Sequence, residues 1–497
     1  MSALNFLLPN QLSAEDIRAL GRAYFMGGSD YIPWQTEVHQ QPGRLDARTH
    51  INESGCLCAP WQVNGHGRLV LATATLMNRT APYQLALELA RGKVNHLRAQ
   101  AADWEAGSLQ IDPELAAELR QVAVAFARAV CCQEVPQESM RLAEAAINAA
   151  VRAGDHLVAT YINQVFQLRM QREGRLSSAL ACRILGVPPT AEQTALLKQA
   201  FTAIQIPLSW PMVEPVEGAY RWESFDALFT WARETGLTVI GGPIIDFAPN
   251  SLPGWLNQYQ GDLRRIINFM DDYVEMVLQR YGETVRTWQL TAASNWPNVL
   301  GLTKEELLRL TNRLHDTALQ LDAEAALILG LAQPWGESLT HQDRAFFPFL
   351  FADNLLRNRA KISAIDLELV MGVSGRGSYA RDLLEVSRIL DLYALLSLPL
   401  RVTLGCPSSL GPDPQADADF PVEPRGNEPE WSPEVQSEWA QQCGSLALCK
   451  PYVEAVTWTH FADDQPHQFP HCGLVDRSGS VKPALDPLRY LRQRYLR

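Results

Sequence analysis

The chain has 497 residues, 47% of them hydrophobic and 20% charged, with a formal net charge of -12. That length exceeds what one hydrophobic core usually serves, so the composition predicts a soluble globular protein of two domains or one large barrel. An acidic balance without a Lys/Arg cluster excludes a nucleic-acid partner, whose phosphates require one, and no run of about 18 uncharged apolar residues is present to span a membrane.

The first residues, MSALNFLLPNQLSAED, lack a basic region and a long apolar stretch, so no signal peptide is expected. Nine cysteines, an odd and scattered set without CxxC spacing, fit free thiols in a reducing compartment, and a cytoplasmic location is expected. Cys56 and Cys58, near His50 and His66, lack the usual zinc-ligand spacings. No metal and no cofactor is expected.

Residues 1–80 read as a small β-rich, sandwich-like domain, with strands at 24–27, 32–39, 55–60 and 68–76 between Gly, Pro and Asn turns. Tyr31, Trp34 and Trp61 are read as its core, with sugar stacking of the kind seen in carbohydrate-binding modules as the alternative. Residues 81–177 shift to Ala, Leu, Glu, Gln and Arg and read as a helical connector, with helices at 83–101, 113–131 and 137–170, the last bending near Gly154. From 178 to 497 strand and helix patterns alternate. Strands are expected at 180–186, 201–210, 237–247, 285–295, 325–334, 363–371, 400–404 and 453–460. Helices are expected at 190–199, around Phe225 to Ala232, and at 263–281, 303–321, 379–396, 434–449 and 485–495. Eight such cycles predict an α/β fold, a (β/α)8 TIM barrel, whose active sites form at the C-terminal ends of the strands. The long insertion at 407–431 follows the seventh strand on that face, as a lid or an exposed loop.

Several motifs in this region go beyond periodicity. Trp210, Glu214-Pro215, Gly218, Tyr220 and Trp222 follow the second strand, and Leu252-Pro253-Gly254-Trp255 follows the third. Trp458 lies in the eighth, followed by Gly473-Leu474-Val475-Asp476 and Lys482-Pro483-Ala484. In this order the set resembles glycoside hydrolase family 10, the xylanase family, over roughly residues 178 to 497. The resemblance implies a retaining glycosidase barrel acting on carbohydrate, with two carboxylates about 5 to 5.5 Å apart.

The chain departs from that pattern where the family's chemistry lies. Strand four reads Trp288-Gln289-Leu290-Thr291-Ala292-Ala293 in place of Trp-Asp-x-x-Asn-Glu, and Thr403-Leu404-Gly405-Cys406 stands where Thr-Glu-x-Asp is expected. Gln205-Ile206-Pro207-Leu208-Ser209 and Gly242-Pro243 replace polar sugar-binding residues of strands two and three.

Other carboxylates sit at strand ends. Glu368, Glu337 and Asp246 are the candidate catalytic residues. Asp366 shares a strand face with Glu368, and the pair could also be neutralised by Arg376 or Arg381. Asp463 and Asp464 lie beyond strand eight. Trp210, Gln289, Asn295, Trp296, Trp335, Trp458 and His460 are the candidate substrate-binding residues. Two functions remain open: a glycoside hydrolase with relocated carboxylates but without ordinary xylanase activity, and an inactive barrel that binds a glycan or a protein. Neither oligomeric state nor substrate is specified by these residues.

Overall fold

A computed structural model describes residues 2–27, 31–296, 300–340, 346–426 and 429–497. Its larger part is a closed ring of eight parallel strands, Ala179–Arg183, Ala203–Ile206, Thr238–Gly241, Thr287–Ala292, Ala326–Ala332, Ala364–Val370, Leu400–Gly405 and Val453–Trp458, numbered one to eight below. Strand eight closes the ring on strand one, Ala455 facing Ala179 and Trp458 facing Cys182. The (β/α)8 expectation is met.

Strands two and three are shorter than their apolar patterns suggest, and proline is the reason. Pro207 ends strand two, and Trp210–Val213 turns into a short helix with Pro211 in its first turn. Gly242, at a φ of +90°, and Pro243 interrupt strand three, which resumes as Ile245–Asp246 beside strand four. Helices follow where caps are legible. Thr190 and Thr303 each form a reciprocal capping box, with Gln193 and Glu306. Helix Pro348–Arg357, which has no side-chain cap, was not expected from the sequence.

The N-terminal region forms two four-stranded sheets. One runs Thr36–Gln41, Arg44–Thr49, Ser2–Leu7, Tyr83–Gln84, and the other Ile32–Pro33, Tyr24–Gly27, Cys56–Val63, Gly67–Ala72. Trp34 and Trp61 are core, whereas Tyr31 is exposed beneath Arg388, 4.6 Å away. The helices Leu85–Ala106, Pro113–Cys131 and Pro136–Glu173 feed two cores. Leu87, Met140 and Ile147 pack with the sheets, and Leu97, Leu157 and Phe166 with the barrel. Helix Pro136–Glu173 runs through Gly154 without a break. A Cβ there would stand 3.0 Å from Leu384 Cδ1, so glycine permits close approach to a barrel helix.

Among the described residues, no helix is long and apolar enough to cross a membrane. All nine cysteines are free. Cys56, Cys58, His50 and His66 form no metal-ligating group among the described residues, and His66 pairs instead with Asp155 at 2.6 Å.

Candidate active site

The barrel interior is layered. At the bottom, Ala181, Ala203, Ile240, Ile328 and Ala364 form a small apolar plug. One side-chain repeat higher, the inward positions turn polar: Arg183, Gln205, Gln289, Asp366 and Thr403, all buried. They satisfy one another. Gln205 donates to Gln289 at 2.5 Å, Thr403 donates to Asp366 at 2.8 Å, and Arg183 donates to Thr403 at 3.2 Å while lying 3.7 Å from Asp366. Gln289 is therefore a member of the barrel core network.

The next inward residue of strand six is Glu368, 5% exposed. Arg376, in the loop after the strand, grips it at two points, Nε to Oε1 at 2.7 Å and Nη2 to Oε2 at 3.0 Å. The same guanidinium gives Nη1 to both oxygens of Asp246, at 3.0 and 2.8 Å. Gln468 completes the cluster, accepting from Arg376 and donating to Asp246 and Ser251. Burial raises the Glu368 carboxyl above its ordinary range, opposed by the charges of Arg376 and Arg183.

Glu337 lies elsewhere. Its carboxylate is buried against Arg381, at 2.6 Å, and that guanidinium also donates to the Tyr24 hydroxyl of the N-terminal sheet, at 2.9 Å. It accepts from the Tyr379 backbone N–H as well. Of the three candidate carboxylates, the structure joins Glu368 and Asp246 on one arginine and assigns Glu337 to the contact between sheet and barrel.

The insertion after strand seven, of which residues 427–428 lie outside those described, folds over the mouth. Phe420 is buried against Phe469, Val370, Val373 and Cys472, so an apolar cluster caps the end of strand six. Its far end is held by the N-terminal sheet. Arg22 pairs with Glu423, and the Arg68 N–H donates to the Arg425 carbonyl at 2.6 Å. Beside this cap a cavity of about 510 Å³ opens over strands one, two, three and eight. Its polar walls include Arg183, Asp246, His460, His467 and Gln468, and its apolar walls Leu208, Met212, Phe225 and Phe469.

Two Asp–His pairs stand on the strand-eight side. His460 Nε2 is 2.9 Å from Asp463, His467 Nε2 is 3.0 Å from Asp413, and the two rings stack at 4.4 Å between centroids. Lys482 donates to Asp463 at 2.6 Å and the Gly473 N–H at 2.7 Å. Burial would raise the Asp463 carboxyl, but His460 and Lys482 hold it well below the usual carboxylate range. Burial, and then the adjacent His467, lower His460 to about 4. Among the described residues, His460, Asp463 and His467 are the one group whose donor atoms approach metal-ligand proximity.

Trp210 and Trp458, expected among the substrate-binding residues, do not line the cavity. Trp210 stacks on Tyr273 and donates to Glu214, and Trp458 packs against Trp439 and donates to the Cys472 carbonyl; each is 1% exposed. Large apolar rings were drawn into the strand–helix layer, where they bury the most area. Trp296 packs with Ala293 and Ala332, and Trp335 lies under Arg381 at 5.1 Å. Asn295 pairs with both backbone groups of Ala332. Of the expected binding residues, His460 lines the cavity. Gln468, His467 and Asp413 went unnoticed, since lone polar residues in loops carry no periodic signal, and so did Arg183, a single charge at the end of the otherwise apolar strand one. Arg376 had been noted as a possible partner of the strand-six carboxylates.

The family model of Glycosyl hydrolase family 10 matches residues 171–292. No curated protein matches. Solved structures resemble the chain at low identity. Xylanase 10B of Thermotoga petrophila, in complex with xylobiose, is 15% identical over 66% of this chain and 97% of its own, with a TM-score of 0.48. The GH10 protein of Paenibacillus barcinonensis is 18% identical over 64% and 96%, with a TM-score of 0.47. The Thermobacillus composti GH10 xylanase is 18% identical over 66% and 99%, with a TM-score of 0.46. Residues 171–292, which hold strands one to four, match that family, and with strands five to eight they close a ring that resembles a glycoside hydrolase family 10 barrel.

Proposed function

We propose that this barrel binds a small saccharide in the cavity over strands one, two, three and eight, and does not cleave it through Glu368. The observation that carries this reading is the double engagement of Arg376 by Glu368 and Asp246. A retaining pair needs one carboxyl free to protonate the leaving oxygen and another free to attack. Here both candidates point at one guanidinium. The residues at the ends of strands four and seven, Ala292-Ala293 and Gly405-Cys406, offer no carboxylate in their place. The cavity volume lies within the range typical of small-ligand sites, and its mixture of apolar walls and hydrogen-bonding groups suits sugar rings. The match to Glycosyl hydrolase family 10 and the xylobiose named with one similar structure make xylo-oligosaccharides the first ligands to test.

A hydrolase with Glu368 as its acid has one observation in its favour, the upward shift that burial gives this carboxyl. The two readings separate in one assay. Xylotriose incubated with purified protein should bind and be recovered intact, whereas turnover that disappears in Glu368→Gln would establish the hydrolase.

A further inference from the structure

Most polar groups facing the cavity are already engaged by protein. Asp246 takes Arg376, Gln468 and the Ala248 N–H. Gln468 uses both ends of its amide. His467 has the Gln465 carbonyl 2.7 Å from Nδ1 and Asp413 3.0 Å from Nε2, so both its ring nitrogens face protein oxygens.

His460 differs. Its Nε2 faces Asp463, which already accepts from Gly473 and Lys482 and offers no proton, so Nε2 must be the N–H. Nδ1 then carries the lone pair, and no described residue donates to it. The hydroxyl of the neighbouring Thr459 is buried without a partner among the described residues, out of a ligand's reach. Just beyond strand eight, His460 thus leaves an acceptor unused in a residue that lines the cavity.

Two other roles for this cluster fail on geometry and strength. The imidazole planes are 22° apart and stacked, so their in-plane lone pairs do not converge on one metal ion. A ring lowered to about 4 is too weak a base to take a proton from an alcohol near neutrality, but it still accepts a hydrogen bond.

We infer that His460 Nδ1 is the specificity-determining acceptor of the cavity and takes a ligand hydroxyl, with Asp463 as the positioning residue that fixes the tautomer. The inference rests on the saccharide reading above and names the group that selects the sugar.

The test is nitrogen NMR of the intact chain labelled in histidine, with His460 assigned by its loss in His460→Gln. Near pH 7, without ligand, His460 should be the Nε2–H tautomer, and on titration with xylobiose its Nδ1 resonance should move more than Nε2. Asp463→Asn should mix the tautomers and weaken xylobiose binding about three- to tenfold, the worth of one neutral hydrogen bond. A proton on Nδ1, an imidazolium at neutral pH, or saturation by xylobiose that leaves Nδ1 unmoved would overturn the inference. Should no xylo-oligosaccharide bind, the saccharide reading fails by itself, and the acceptor stands or falls on the tautomer of the free protein.

Discussion

Arg376 stands between Glu368 and Asp246, with Nε and Nη2 on one carboxylate and Nη1 on the other. Its side chain is 1% exposed, so a buried acid, Glu368, and a half-buried one, Asp246, share one buried cation, with Arg183 3.8 Å from Glu368 as a weaker second. Removing one partner of a buried ion pair costs about 3–5 kcal/mol, because the charge left behind is uncompensated. Arg376→Met should therefore destabilise the fold by at least that much in urea titrations. Glu368→Gln should cost less, since Arg376 keeps Asp246. The reverse order would mean that the cluster is solvated and Glu368 free for chemistry.

Acid should weaken the protein in a defined window. His460 is held neutral, with its proton affinity lowered to about 4, while an unfolded histidine titrates near about 6.5. Between these values the unfolded chain binds a proton that the folded chain refuses, so stability is full above about pH 6.5 and is lost as pH falls toward 4. The ceiling is about 3 kcal/mol at 1.36 kcal/mol per pKa unit. His315, buried and lowered in the same direction, adds to the slope. Below that window Asp463 and Asp413, both held under their ordinary range, continue the loss. Calorimetric melting temperatures of His460→Gln should fall less steeply from pH 7 to 4.5 than those of the parent, and an unchanged slope would contradict this assignment.

The barrel was legible because its signals are local. Helices Leu263–Tyr281 and Leu485–Tyr495 lie where their apolar spacing put them, and strand six was bounded within a residue at each end. Inward alternation also placed Asp366 and Glu368 on one face. The site was less legible because its meaning depends on partners far along the chain. Asp246 is 130 residues from Arg376, and Trp210 gave no sign that Tyr273 would cover it. The strand Arg44–Thr49 was missed although its burial alternates, since Arg, Asp and Arg obscure a pattern carried by Leu45, Ala47 and Thr49.

The insertion over the mouth should behave as a packed cap. Phe420 is 1% exposed, and truncating a buried Phe costs about 3–5 kcal/mol. Phe420→Ala should speed limited proteolysis within residues 407–431 well before global unfolding. Equal cleavage rates in parent and variant would show that the cap opens without disturbing this side chain.

The N-terminal sheets should prove integral to the barrel. Arg381 joins Glu337 to the Tyr24 hydroxyl, and a hydrogen bond to a charged group contributes about 1.5–3 kcal/mol. Tyr24→Phe should lower stability by about that amount, and removal of residues 1–80 should leave a chain without a cooperative melt by circular dichroism. A barrel that melts normally without them would make the β-rich region a separable module.

The most direct measurement is proton NMR of xylotriose with the purified protein, because one sample reports binding and cleavage together. Saturation transfer from protein to sugar, with no growth of anomeric signals from shorter products, is the predicted result. Product signals appearing at the roughly 1–10³ s⁻¹ usual for enzymes, or no saturation transfer at all, would contradict a barrel that binds a saccharide without cleaving it.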